Sequence, residues 1–95
     1  MKHMIIVKAN ENAPSREAFM QAAEEAFRSV TEIPGIHGVR VRPGLPLAPN
    51  RYDFIVEIDM DREALSAYDQ SEAHHRWKDN YSGWIEKKAI FDCED

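Results

Sequence analysis

Cysteine is nearly absent from this sequence, because Cys93 is the only one among 95 residues. A single cysteine cannot form a disulfide within the chain, which is typical of proteins that fold in a reducing compartment. We therefore expect a cytoplasmic protein that is held together by packing. Cys93 lies near the end of the sequence, where we expect it to act as a small apolar residue of the last strand.

Long hydrophobic runs and an excess of basic residues are also missing. The apolar run Met4–Val7 is far too short for a membrane span or for the core of a signal peptide. Acidic residues outnumber basic ones by 17 to 12, and the formal net charge of −5 disfavours nucleic acid and anionic membranes as partners. Without repeats or linker-like segments, residues 1–95 are expected to form a single domain with a small core, to which dimerisation would add burial.

Apolar runs and alternating patterns predict four strands. They are expected at His3–Lys8, Ile36–Arg42, Tyr52–Asp59 and Trp84–Cys93. Strict alternation in the second strand would place His37 with Val39 and Val41 on one face, and Ile36 on the other. The segment between the second and third strands, Pro43–Arg51, is rich in proline and is expected to be a loop.

Helical spacing first appears after Ser15, which is a typical N-cap residue. The pattern continues to about Ile33, where Pro34 and Gly35 would end the helix. We therefore expect one helix of about four turns between the first and second strands.

A second helical region opens at Asp61 and restarts at Ser71, which is typical of an N-cap before a helix over Glu72–Ser82. At about 100° per residue, His74 falls on the apolar side of this helix, whereas His75 falls outside it. The inward arc comprises Ala73, His74, Trp77 and Tyr81. We therefore expect His74 to point inward, close to Tyr68 on the preceding helical turn, and His75 to point outward.

The resulting order, βαββαβ, predicts an α+β ferredoxin-like fold with a four-stranded antiparallel sheet and both helical regions on one face. The apolar strand residues expected to face the helices are His3, Ile5, Val7, Val39, Val41, Phe54, Val56 and Ile58. The opposite face would carry Met4, Ile6, Lys8, Ile55, Glu57, Lys87, Ala89 and Phe91. A face that is half apolar suits packing against a second copy, so a homodimer formed through the sheet faces is expected.

Five segments along the whole chain also resemble a known family. They are Lys2–Ile5, Ile33–Ile36, Tyr52–Glu57, the stretch from Tyr68 to His74, and Ile90–Asp92. In this order and spacing the chain resembles the stress-responsive A/B barrel proteins, a dimeric α+β barrel family known from plants and bacteria. The resemblance implies a homodimer whose two sheets close into one barrel, with a ligand pocket between the helices and the sheet of each protomer.

The resemblance also implies roles for individual residues. In members similar to plant polyketide cyclases, the histidine matching His74 acts as the base, and the residues matching Tyr68 and His3 share its pocket. We therefore take His74, Tyr68 and His3 as candidate catalytic residues. The candidate substrate-binding residues are Ile5, Val7, Val39, Phe54, Val56, Trp77, Tyr81, Lys88 and Ile90.

No metal or cofactor is expected, because adjacent helical residues such as His74 and His75 point about 100° apart and do not readily share one ion. Neutral imidazole next to a tyrosine can instead move a proton by itself. The first hypothesis is therefore a small-molecule-binding enzyme that abstracts a carbon-bound proton from a carbonyl or polyketide-like substrate, as in an aldol-type cyclisation. Two alternatives remain: a non-catalytic stress-responsive ligand-binding protein and a cofactor-free enzyme of the quinol monooxygenase type.

Overall fold

Two apolar strands form the centre of the sheet in the computed structural model, which describes residues 1–95. The strands are β1 (Lys2–Ala9), β2 (Ile36–Pro43), β3 (Phe54–Met60) and β4 (Ile85–Cys93). Their order across the sheet is β2-β3-β1-β4, and every neighbouring pair is antiparallel. The predicted ferredoxin-like arrangement is therefore confirmed, with β2 and β4 at the two edges.

The helices begin at the serines that the sequence indicates. Helix α1 spans Arg16–Phe27, and the Ser15 hydroxyl accepts a hydrogen bond from the Ala18 N–H at 3.2 Å. The predicted helix tightens into a 3₁₀ segment over Arg28–Glu32 before Pro34. The second helical region comprises a 3₁₀ turn at Arg62–Ala64, α2 (Leu65–Asp69), α3 (Glu72–Tyr81) and a 3₁₀ turn at Ser82–Trp84.

The core lies between the helices and one face of the sheet. Alternate strand residues enter it, and the aromatic side chains of α1 and α3 cover them. Its fully buried large side chains are Val7, Phe19, Phe27, Val30, Phe54, Val56, Ile58, Met60, Tyr68 and Trp77. The period of two in β1 and β3 therefore marks the buried face correctly.

A β-bulge in β2 changes which of its residues point inward. Ile36 lies opposite Met60, and Gly38 lies opposite the next residue, Asp59, so His37 is the extra residue. Ile36 is consequently buried and His37 is exposed. The expectation that His37 shares a face with Val39 and Val41 was therefore wrong, because strict alternation does not continue through a bulge.

The ends of two strands also differ from the prediction. Strand β3 begins at Phe54 rather than Tyr52, and Asp53 instead accepts a hydrogen bond from the Ala9 N–H through its carboxylate. Strand β4 begins at Ile85, because Trp84 closes the preceding 3₁₀ turn. Both differences arise from hydrogen bonds at the strand ends, which the hydrophobic pattern does not report.

Gly35 connects the first helical region to β2 and is the one residue with a positive φ, 92°. An added Cβ would lie 3.0 Å from the Ala64 Cβ, so the positive φ and the closeness of Ala64 both favour glycine.

We expect Gly35→Ala to lower the free energy of unfolding by about 1–2 kcal/mol, measured by urea denaturation. Gly38→Ala is the matched control, since an added Cβ there meets no atom within 4 Å. Equal urea midpoints for the two variants would contradict this assignment.

Candidate functional site

His3 is a buried histidine on β1 that is paired with a carboxylate on the neighbouring strand. It is 6% exposed and lies directly opposite Asp92 of β4. The two atoms His3 Nδ1 and Asp92 Oδ1 are 2.5 Å apart. A carboxylate only accepts, so the His3 Nδ1–H donates this bond, and the Nε2 of a neutral ring is left as an acceptor. Asp92 therefore fixes both the orientation and the tautomer of His3.

Tyr68 of α2 is fully buried and lies between two histidines. Its ring centroid is 5.3 Å from that of His3 and 4.9 Å from that of His74. Its hydroxyl is buried and has no hydrogen-bond partner. Burial raises the pKa of Tyr68, so the phenol is protonated at neutral pH and can donate a hydrogen bond.

His74 is half-buried in the first turn of α3. The Ser71 hydroxyl caps the helix by accepting from the His74 backbone N–H at 3.2 Å. The His74 Nδ1 lies 3.0 Å from the Asp69 carbonyl oxygen, to which it donates. The ring nitrogen Nε2 is then the free acceptor. Burial lowers the pKa of His74 from its ordinary value of 6.5, which keeps the ring neutral at pH 7.

The structure thus brings three of the sequence-derived candidates into one group, the His–Tyr–His cluster of His3, Tyr68 and His74. His75 does not join it, because it is exposed and donates from Nδ1 to the Ser71 carbonyl at 2.9 Å. Asp92, the hydrogen-bond partner of His3, is the residue that sequence reasoning missed. Its segment was noted in the resemblance, but only the register between β1 and β4 places it opposite His3.

Most of the candidate substrate-binding residues are packed in the core of the single chain. Five are buried: Ile5, Val7, Phe54, Val56 and Trp77. Val39 and Tyr81 are half-buried, and Lys88 and Ile90 are exposed. Phe19 and Phe27 fill the space between helices and sheet, with Phe27 lying 5.0 Å from Trp77 and Phe19 5.0 Å from Phe54 between ring centroids. None of the surface cavities is lined by a member of the His–Tyr–His cluster.

An exposed strip of β4 lies beside the buried cluster. Lys88, Ile90 and Asp92 pair with Val7, Ile5 and His3 respectively and so project from the same face of the sheet. Ile90 is 51% exposed, because β4 is an edge strand whose side chains extend beyond the helices. We call these three residues the β4 strip. It combines a cation, an apolar side chain and the carboxylate that holds His3.

The unpartnered hydroxyl gives a test of the site that needs no substrate. A buried polar group without a hydrogen bond costs about 1–3 kcal/mol. We therefore expect Tyr68→Phe to raise the free energy of unfolding of the ligand-free protein by about 1 kcal/mol, measured by urea denaturation. Tyr81→Phe, on a half-buried residue of α3, is the control and should have a smaller effect. Destabilisation by Tyr68→Phe would show that the hydroxyl already has a partner.

Comparison with known proteins identifies a family and a fold. The family model described as the stress responsive A/B barrel domain matches residues 1–95. A stress-responsive A/B barrel protein with a ferredoxin-like fold from Mesorhizobium loti is 17% identical, with a TM-score of 0.72 over 99% of this chain and 94% of that one. No protein of curated function matches the chain.

No helix in the structure has the length and apolar character needed to cross a membrane.

Two further solved structures share the fold. A dimeric ferredoxin-like protein of unknown function from Bacteroides fragilis is 19% identical, with a TM-score of 0.75 and coverage of 99% of this chain and 94% of that one. A protein of Nitrosomonas europaea, described as a candidate antibiotic biosynthesis monooxygenase, is 17% identical, with a TM-score of 0.70 and full coverage of both chains. At these identities the likeness establishes the common fold.

Proposed function

Because this chain belongs to the stress-responsive A/B barrel family, we propose that it binds a small carbonyl compound at the His–Tyr–His cluster and abstracts a carbon-bound proton from it. The observation that carries the proposal is the Tyr68 hydroxyl, which is buried between two histidines without a hydrogen-bond partner. Folded proteins rarely leave such a group unsatisfied, and a role in binding or catalysis is one physical reason for the exceptions. A substrate oxygen is the partner that this hydroxyl lacks.

His74 is the base in this proposal. Its Nδ1–H is bonded to the Asp69 carbonyl, which leaves the Nε2 lone pair to accept a proton. The lowered pKa keeps that lone pair free at neutral pH. A carbon between two carbonyl groups is acidic enough for imidazole, and a positioned general base contributes roughly 10²–10⁴-fold in rate. The electron pair of the broken C–H bond moves onto the carbonyl oxygen as an enolate.

Tyr68 stabilises that enolate. Its raised pKa keeps the hydroxyl protonated, so it donates a hydrogen bond to the oxygen where negative charge develops. Attack of the enolate carbon on a second carbonyl of the same substrate would give an aldol-type cyclisation. Asp92 acts as a positioning residue, because it fixes the ring of His3 against the ring of Tyr68.

The substrate would approach along the β4 strip and past His74, which are the accessible parts of the site. Lys88 can attract a carboxylate or enol oxygen, and Ile90 can contact an apolar segment of the substrate. Because the cluster is packed in the single chain, binding must separate Tyr68 from its neighbours. The hydrogen bond that the orphaned hydroxyl then gains offsets part of this cost.

A deuterium-exchange assay tests the role of His74. With a β-dicarbonyl probe in D₂O followed by NMR, we expect His74→Gln to slow exchange by roughly 10²–10⁴-fold. His75→Gln is the matched control, because His75 is the adjacent exposed histidine, and it should keep the wild-type rate. The base must be neutral, so the wild-type rate should fall as pH drops through a pKa below 6.5 and stay level above it. A folded His74→Gln variant with an undiminished rate would refute the assignment.

The second face of the sheet supports a homodimer. It mixes apolar side chains such as Ile6, Ile55 and Phe91 with charged ones, and Phe91 is 55% exposed. An exposed apolar face of this kind is suited to a self-complementary interface. The relative from Bacteroides fragilis is described as dimeric, which agrees with this part of the proposal.

Two substitutions on adjacent residues of β4 test which face forms the dimer. We expect Phe91→Glu to weaken dimerisation by at least about tenfold, because it places a charge in an apolar interface. Ile90→Glu, on the opposite face of the same strand, should leave the dimer intact. Sedimentation velocity at several concentrations measures both variants. A wild-type protein that remains an 11.0 kDa monomer at micromolar concentration would contradict the dimer.

A ligand-binding protein without turnover is the second candidate. The unpartnered Tyr68 hydroxyl is compatible with it, since a ligand oxygen can accept that hydrogen bond without any proton being moved. It predicts that His74→Gln changes probe affinity while no exchange occurs in either protein. A cofactor-free monooxygenase is the third, supported by the relative from Nitrosomonas europaea, and uptake of oxygen with a phenolic substrate would identify it.

The single cysteine supports a cytoplasmic location as a further part of the proposal. Cys93 is half-buried at the end of β4 and has no second cysteine to pair with. Such a chain keeps its fold without oxidation, as proteins of reducing compartments do.

A further inference from the structure

The loop between β2 and β3 exposes two leucines that the proposed function does not use. Leu45 is 69% exposed and Leu47 is 72% exposed, which makes them the most exposed of the four large apolar side chains that reach solvent. The other two are Ile90 of the β4 strip and Phe91 on the second face of the sheet. We call residues 44–51 the leucine loop.

The leucine loop has a defined conformation, although it contains neither helix nor strand. The Leu47 N–H donates to the Leu45 carbonyl at 2.8 Å and closes a three-residue turn around Pro46. A second turn is closed where the Arg51 N–H donates to the Ala48 carbonyl at 3.1 Å. The backbone that carries the leucines is therefore already ordered, so that burying them in an interface costs little further conformational entropy.

A lysine of β1 fixes the leucine loop beside the second face of the sheet. Lys8 donates from its ammonium group to the carbonyls of Pro49 and Arg51, at 2.7 and 3.1 Å. Lys8 follows Ile6 by two residues in the strand, so both side chains project from the same face. The loop therefore lies next to the face that we propose as the dimer interface.

A small cavity shows the same adjacency. It measures about 110 Å³ and is lined in part by Ile6 and Ile55, which pair on the second face. Pro43 and Gly44, where β2 passes into the loop, complete this side of the cavity. The second face and the leucine loop thus form one continuous surface that is largely apolar.

We propose that the leucine loop packs against a second copy of this chain and extends the homodimer interface beyond the sheet face. The proposal rests on the homodimer of the proposed function and adds a second contact region to it. In a two-fold dimer the same patch of each protomer takes part, so the loop contact forms twice and removes four leucine side chains from water. Apolar burial of this kind is the main source of stability in a permanent dimer.

The distribution of charge also favours a second copy as the occupant. Arg42 and Arg51 lie at the two ends of the leucine loop, and neither forms an ion pair within the protomer. Glu57, on the second face, forms none either. A second copy has a formal net charge of −5, so the cations of the loop are attracted to it.

A double substitution in the leucine loop tests the proposal. We expect Leu45→Ser combined with Leu47→Ser to raise the dissociation constant of the dimer at least about tenfold, measured by sedimentation velocity over a range of concentrations. Both side chains are exposed in the single chain, so the variant should keep the wild-type circular dichroism spectrum. Ile90→Ser is the matched control, because it removes an exposed apolar side chain from the other face and should leave the dissociation constant unchanged.

The substitution Phe91→Glu separates a failure of the loop contact from a failure of the dimer. If Phe91→Glu weakens the dimer and the double serine variant does not, the sheet-face dimer stands and the loop proposal is wrong. A monomeric wild-type protein would refute both. If the serine variant keeps the wild-type dimer but loses binding to phosphatidylcholine vesicles, the leucines contact a membrane and the loop proposal again fails.

An intermolecular spin-label experiment locates the loop directly. A nitroxide attached at Asn50→Cys, in a Cys93→Ser background, leaves both leucines in place. Mixed with isotopically labelled Cys93→Ser protein that has no nitroxide, it should broaden the NMR signals of second-face residues in the labelled chain. The broadening then comes from the partner's loop alone. Broadening confined to the helices, or none in the mixed dimer, would overturn the proposal.

Discussion

The antiparallel register of β1 with its two neighbours is the constraint on which both the core and the candidate site depend. Pairing with β3 sets Ile5 and Val7 opposite Val56 and Phe54, so that four buried side chains form one layer under the helices. The same register with β4 sets His3 opposite Asp92. A slip of one residue would turn His3 to the other face and separate it from Tyr68. The core would be lost at the same time. The free energy of folding that stabilises this register therefore also stabilises the geometry of the site.

Tyr68 connects this packing to chemistry. Its ring is as buried as any core residue, yet its hydroxyl is left without a partner. A phenylalanine would fill the same space without that cost, so the hydroxyl does not contribute to stability, and this is the basis of the binding role that we propose for it. The two histidines on either side are each oriented by an oxygen acceptor, Asp92 for His3 and the Asp69 carbonyl for His74. The rings of the two histidines are thus held by hydrogen bonds to separate elements before a ligand binds, and Tyr68 is the member that must move.

The sequence predicted the elements, their order and the inward direction of His74, because these follow from local patterns. Ser15 and Ser71 mark helix starts through their own hydroxyls, and the phase of α3 separates His74 from His75. It did not predict the bulge that exposes His37, since one inserted residue leaves no hydrophobic signature. Nor did it predict the pairing of Asp92 with His3, which requires the register between strands at opposite ends of the chain. Nor could the volume left between the helices and the sheet be predicted, because side chains such as Phe27 and Trp77 fill that space only once the helices have been placed.

The two edges of the sheet offer different chemistry, and this difference follows from how the helices cover them. At the β4 edge the side chains of Lys88 and Ile90 are exposed next to the His–Tyr–His cluster. This edge therefore suits a small molecule that carries both polar and apolar groups. Along β2 the exposed groove is lined by Val39, Arg40 and Val41 together with residues of the first helical region, and no member of the His–Tyr–His cluster lies beside it. The central strands have no free backbone groups to offer, since each is paired on both sides. In a four-stranded sheet with one face buried in the core, the polar side chains that reach solvent beside the core therefore lie at an edge, and here the edge next to the His–Tyr–His cluster is β4.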